Sequence, residues 1–190
     1  MSLLTKNLHG TFYKILIAAI FIINCFAYDA KSYETVIIKY PDKPWVSIFY
    51  QKQADETIAQ LIPPYDYRDN WGESTVFHAY RWAKGSSCKN FMNNLMGNVY
   101  SQNKNVRTQV VKNDYNDAIT MWCSEKPSQC EIVRVTRSYE GLISMHYINR
   151  DVQNFIYKRD MWLNIIRDAK IYYSYYRWDR VLSKASTIEL

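Results

Sequence analysis

Glycine is scarce in this 190-residue chain, with five in all. No glycine-rich loop of the kind that cradles phosphates is present. The Gly-x-Ser-x-Gly turn that exposes the serine of many hydrolases is missing as well. Histidine is rare, with three. His78 and His146 lie in strand-like runs, and neither has an acidic neighbour in sequence to orient it as a base. Despite many asparagines there is no Asn-x-Ser/Thr triplet, which suits an exported bacterial protein better than a glycosylated eukaryotic one. No internal repeat occurs, which excludes a repeat architecture. Beyond the N-terminal region, no run is long and apolar enough to span a bilayer. The formal charge of +6 is too mild to mark a nucleic-acid binder, so no nucleic-acid partner is expected.

The N-terminal region itself carries a pattern. Lys6 and Lys14 precede a run from Ile15 to Ala27, and no acidic residue comes before Asp29. A basic start, a short apolar centre and a small residue at the exit make a secretory signal. Such a run extends only about 20 Å as a helix, short of the roughly 30 Å of hydrocarbon in a bilayer. Cleavage is expected after Ala27. Cys25 is a poor lipidation site, because Asn24 stands before it where a small residue is wanted. Loss of Lys6 and Lys14 lowers the formal charge from +6 to +4. Residues 28–171 are then expected to form one domain, followed by a tail over 172–190, in the periplasm or the medium.

Export turns attention to the cysteines, since an oxidising compartment favours disulfides. Cys123 closes the strand-like DAITMWC and Cys130 opens CEIVRVTR, with the six-residue SEKPSQ between them. Paired as a hairpin, these runs would set the two cysteines face to face near its end. The spacing suits neither a redox pair separated by two residues nor a four-ligand zinc site. Cys88 remains. It sits in GSSCKNFMNNLMGNVYSQ, a predicted helix with Ser86 or Ser87 as N-cap. There Cys88, Phe91, Met92, Leu95 and Val99 share one face. The thiol is expected either in the core or, less favourably, as a nucleophile at a helix start. Mispairing with Cys123 or Cys130 is the third option.

The remaining elements follow from periodicity and turn residues. ETVIIKY, WVSIFYQKQ, STVFHAYRW, VRTQVVK and LISMHYINR read as further strands, and ETIAQLIPP fits a helix or a strand equally. PDKP and SYEG read as turns. A second helix is predicted from about Asp151 to Ala169, with Trp162, Ile165, Ile166 and Ala169 on its apolar face. Consecutive strands joined by short turns imply an α+β fold, a mainly antiparallel sheet covered by the two helices. In the loop YDYRDNWGE, Asp66, Asp69 and Glu73 match neither a calcium loop nor a glycosidase pair. Tyr65 and Tyr67 are expected to be exposed there, and Trp71 to fold inward. In the tail, Tyr175, Tyr176, Arg177 and Trp178 either pack back on the domain or form a partner or membrane-interface patch.

Two stretches carry a family resemblance. One is TIAQLIPPYDYRDNWGESTVF, with Thr57, Ile58, Ile62, Pro63, Asn70, Trp71, Glu73 and Phe77. The other is GLISMHYINR followed by RDMWLNIIRDAKIY: a strand, an arginine, then a Trp-containing helix closing on Ala-Lys-Ile. On these residues the chain resembles the Mog1/PsbP-like fold over residues 34–172, and in particular small exported bacterial proteins of that shape. The resemblance implies a sandwich-like domain that acts as an adaptor or assembly factor for a larger protein. It brings no catalytic residue, metal or cofactor. The expected partner is therefore another protein, with Tyr65, Tyr67, Trp71, Tyr175, Tyr176, Arg177 and Trp178 as candidate contacts. The alternative is a secreted hydrolase or effector using Cys88 or the Asp66–Glu73 loop.

Overall fold

Apolar and polar side chains alternate along the central strands, and the sheet they form is buried on both sides. The computed structural model describes residues 33–174 and 186–190. The expected signal segment and Tyr175, Tyr176, Arg177 and Trp178 lie outside the described residues. The elements are β1 (Tyr33–Ile38), β2 (Val46–Lys52), β3 (Glu56–Ile62), β4 (Glu73–Tyr80), α1 (Cys88–Gln102), β5 (Arg107–Asn113), β6 (Asp117–Glu125), β7 (Ser128–Arg137), β8 (Leu142–Asn149), α2 (Val152–Asp168), β9 (Lys170–Ser174) and β10 (Ser186–Glu189). Seven strands form one antiparallel sheet in the order β2-β3-β4-β8-β7-β6-β5. Three more, β10-β1-β9, form a small sheet. The expected α+β class with a mainly antiparallel sheet and two helices is thus observed.

The helices cover opposite faces. Ile143, Met145 and Tyr147 of β8, Phe77 of β4 and Ile132 of β7 pack under Phe155, Trp162 and Ile166 of α2 and Val36 and Ile38 of β1. The alternate residues Val133, Val135, Trp122 and Leu142 pack under Cys88, Met92 and Met96 of α1. A side-chain period of two in the strands makes this division possible. Burying one large apolar side chain contributes about 1.5–3 kcal/mol, so these two layers carry most of the favourable burial.

Local chemistry fixes the helix ends. Ser87 accepts from the Asn90 backbone N–H at 3.3 Å, and Asp151 accepts from those of Gln153 and Asn154. At the far end of α2, the Arg134 guanidinium donates to the carbonyls of Ile166, Arg167 and Ala169 at 2.8–3.1 Å and pairs with Asp117. One side chain thereby satisfies carbonyls that a helix terminus leaves open. Gly141 is needed in the SYEG turn, where a Cβ would come within 2.2 Å of the Tyr80 carbonyl oxygen.

Two expectations change in detail. ETIAQLIPP is a strand, β3, because β2 and β4 pair with both of its edges. The connection between β6 and β7 is two residues long, not six, since the strands continue past the cysteines to Glu125 and Ser128. Cys123 and Cys130 stand directly opposite each other and form the expected disulfide. Among the described residues, no helix is long and apolar enough to cross a membrane.

Candidate functional site

Segments far apart in sequence converge on the middle of α2. The turn after β1 brings Asp42 and Trp45, the segment after β3 brings Tyr65, the start of β4 brings Glu73, and α2 brings Tyr157, Lys158, Met161 and Trp162. Together with Pro41 they line a cleft of about 340 Å³. Trp45 and Trp162 in its lining belong to an aromatic stack that runs into the core. Tyr40 stacks on Trp45 at 5.0 Å, Trp45 meets Trp162 edge-on at 5.0 Å, and Trp162 stacks on Tyr147 at 4.2 Å. Such contacts fix ring orientation beyond simple burial. Tyr65 and Tyr157 stand at the mouth, 69% and 89% exposed.

The floor is a closed polar network. The buried Glu73 carboxylate accepts from Tyr147 Oη at 2.9 Å, Asn154 Nδ2 at 3.0 Å and Lys158 Nζ at 2.5 Å. Asn149 Nδ2 donates to Tyr147 Oη. Burial pushes the Tyr147 hydroxyl well above its ordinary value, with the Glu73 charge adding to the effect. Tyr65 is raised for the same two reasons, burial first and Glu73 second. A carboxylate so fully engaged is neither a free base nor a free ligand.

The loop over 63–72 is held by its own bonds. Asp66 Oδ2 accepts from the Gly72 backbone N–H at 2.9 Å, and Asn70 N–H donates to the Tyr67 carbonyl. Asp66 therefore closes the loop while Glu73 turns into the domain, so the two carboxylates do not act on a common point. Tyr65 and Tyr67 are exposed as expected, Tyr67 at 80%. Trp71 does not fold into the core. It is half-buried, with the Arg150 guanidinium 3.7 Å above its ring. A cation over an indole face supplies the cover that core packing was expected to give.

Cys88 is fully buried in the first turn of α1, and burial pushes its thiol up to about 11. The helix start does not activate it, because desolvation of the thiolate outweighs the dipole. The histidines have no acidic neighbour in sequence, yet each gains an acidic partner across the sheet. His78 Nε2 donates to Glu56 Oε2 at 3.2 Å, and His146 Nδ1 pairs with Glu131. Both partners come from neighbouring strands. His146 Nε2 also bonds Ser144 Oγ at 2.7 Å. The order acid–imidazole–hydroxyl matches a hydrolytic triad. Yet Ser144 is fully buried on β8, a strand paired along both edges. Its backbone amides are committed to the ladders, so no oxyanion hole forms beside it.

Of the expected contact residues, the structure puts Tyr65 in the cleft, Tyr67 on the nearby loop surface and Trp71 under Arg150. Sequence reading missed Trp45, Tyr157, Lys158 and Met161. The available signal was Tyr157 and Met161 at i, i+4 on α2, apolar residues off its core face. Among the described residues, no three His, Cys, Asp or Glu side chains converge as a metal site requires. Compared with known proteins, the chain matches no family model and no curated protein.

Proposed function

We propose that the chain is an exported bacterial binding protein without catalytic activity, which takes a protein partner at the Trp45–Tyr65–Tyr157 cleft. The observation that carries this reading is the cleft's composition. Aromatic side chains ring its mouth, while the buried Glu73 carboxylate in its floor is satisfied from within. Tyrosine, tryptophan and methionine are the residues that anchor protein interfaces at low entropic cost. Tyr67 on the neighbouring loop and Ile156, next to Tyr157 on α2, are exposed as well.

Export is supported by the Lys6, Lys14 and Ile15–Ala27 pattern and by the Cys123–Cys130 disulfide. The Mog1/PsbP-like assignment is supported by the element order, with the Trp162 helix following β8. An adaptor or assembly role in the periplasm or medium follows from that assignment. The hydrolase alternative has weaker support. Cys88 is buried, and Asp66 and Glu73 are each engaged elsewhere.

A photoreactive residue at Tyr157 in the native organism tests the reading, with the same group at Gln109 on β5 as control. The expected result is one discrete protein adduct from position 157 and none from 109. Monomer alone from both positions contradicts it.

A further inference from the structure

On the sheet face opposite the first cleft, α1 packs over β6 and β7 and touches β4 through Phe91 and Tyr80, and a second cleft of about 440 Å³ lies beside it. Trp82 and Tyr80 line it together with Phe91, Asn90, Asn94 and Asn98 of α1. Trp82 is 59% exposed, yet its position is fixed. Its Nε1–H donates to Glu56 Oε1 at 2.7 Å, and Glu56 is held in turn by His78. Tyr80 and Phe91 flank it with centroids 6.0 Å away, and His78 stacks on Tyr80 at 3.9 Å. The indole N–H is thus taken by a surface carboxylate, and the ring stays open to solvent as a platform.

The three asparagines follow at i, i+4 and i+8, one above the other about 6 Å apart along α1. All three are exposed. Each primary amide can both donate and accept. No residue lining this cleft carries a charge.

We propose that this cleft binds a neutral oligosaccharide. The C–H face of a pyranose ring is apolar and flat, matching the Trp82 platform, while its hydroxyls donate and accept in the plane, matching the amide row. A pocket with an apolar body and a few polar groups that fix orientation is the general form of a small-ligand site. A nucleotide would also stack on Trp82. Its phosphates, however, would meet no cation in the lining, and the Glu56 carboxylate stands at the edge of the indole. The proposal is independent of the protein-binding reading, because the two clefts use opposite sides of the sheet and share no residue.

The test is titration of the purified, disulfide-intact protein with three neutral hexasaccharides: β-1,4-linked glucose, β-1,4-linked N-acetylglucosamine and α-1,4-linked glucose. Calorimetry gives the affinity, and the side-chain amide resonances of Asn90, Asn94 and Asn98 report the location. At least one hexasaccharide is expected to saturate the protein and shift those resonances. Trp82→Ala and Asn94→Leu should each weaken its binding by about tenfold or more, with thermal unfolding of each variant checking that it folds. Asn94 is exposed and bears no fold contact, so its variant remains informative should Trp82→Ala unfold. The proposal is overturned by three outcomes: no saturable binding of any of the three, equal binding by the Asn94→Leu variant, or binding of ATP or polygalacturonate in preference to all neutral glycans.

Discussion

Replacing Glu73 by alanine should destabilise the domain by about 2–4 kcal/mol. The magnitude follows from what the carboxylate leaves behind. Tyr147 is fully buried, and its hydroxyl loses its acceptor, at a cost of about 1–3 kcal/mol for a stranded buried donor. Asn154 loses a second bond, worth about 1 kcal/mol. The Lys158 side chain is a quarter exposed at 27%, so its ammonium can turn to water and adds little. Glu73→Gln keeps an acceptor for Tyr147 and most of the packing, and should cost about 1–2 kcal/mol. Urea unfolding measures both, read as shifts in midpoint at constant slope. A loss under 1 kcal/mol for the alanine variant would refute the reasoning, because Glu73 would then be free to serve a ligand or a reaction.

Three further outcomes are expected. Rapid alkylation without reduction, followed by peptide mapping, should find Cys123 joined to Cys130 and Cys88 unlabelled until the protein is denatured; reducing the disulfide should then cost about 2–3 kcal/mol in urea unfolding, as closure of so short a loop implies. Arg134→Ala should cost about 2–4 kcal/mol by opening the α2 terminus and leaving Asp117 with Lys112 alone as its cationic partner, and Arg134→Lys should recover only part of it, because one ammonium cannot serve the carbonyls and Asp117 together, as Nη1 and Nε of the guanidinium do. The pH profile should show the signature of His78, whose pKa burial holds below its ordinary 6.5 despite Glu56. The unfolded state then binds the proton first, so stability is full above pH 6.5 and falls as pH drops through the folded-state value. A His78→Gln variant should flatten that limb, and an unchanged profile would contradict the assignment.

Much of the fold was legible because its signals are local. The Ser87 and Asp151 caps, the Trp162 face of α2 and the facing cysteines all depend on residues within a turn or a hairpin of one another. β3 was ambiguous because Ile58, Leu61 and Ile62 satisfy both helical and strand periods, and pairing with both neighbours decided it. The six-residue reading of the β6–β7 link failed because Ser124, Glu125, Ser128 and Gln129 carry little strand signal; their pairing is templated by the ladder beyond the disulfide. Sites were harder to read. Glu56 lies 22 residues from His78, and Glu131 lies 15 from His146, so antiparallel pairing alone creates those contacts. Tyr65 was identified from its loop. Trp45 and Tyr157 join it only because the segments after β1 and β3 fold against the middle of α2.

The most direct measurement is the affinity of the partner captured at position 157 for the wild-type protein and for the Tyr65→Ala/Tyr157→Ala variant. Neither tyrosine is in the core, so the variant should unfold at the wild-type urea midpoint. If the cleft is the contact surface, binding should weaken by about 2–4 kcal/mol, on the order of 30- to 1,000-fold. An unchanged affinity in a fully folded variant would contradict the account.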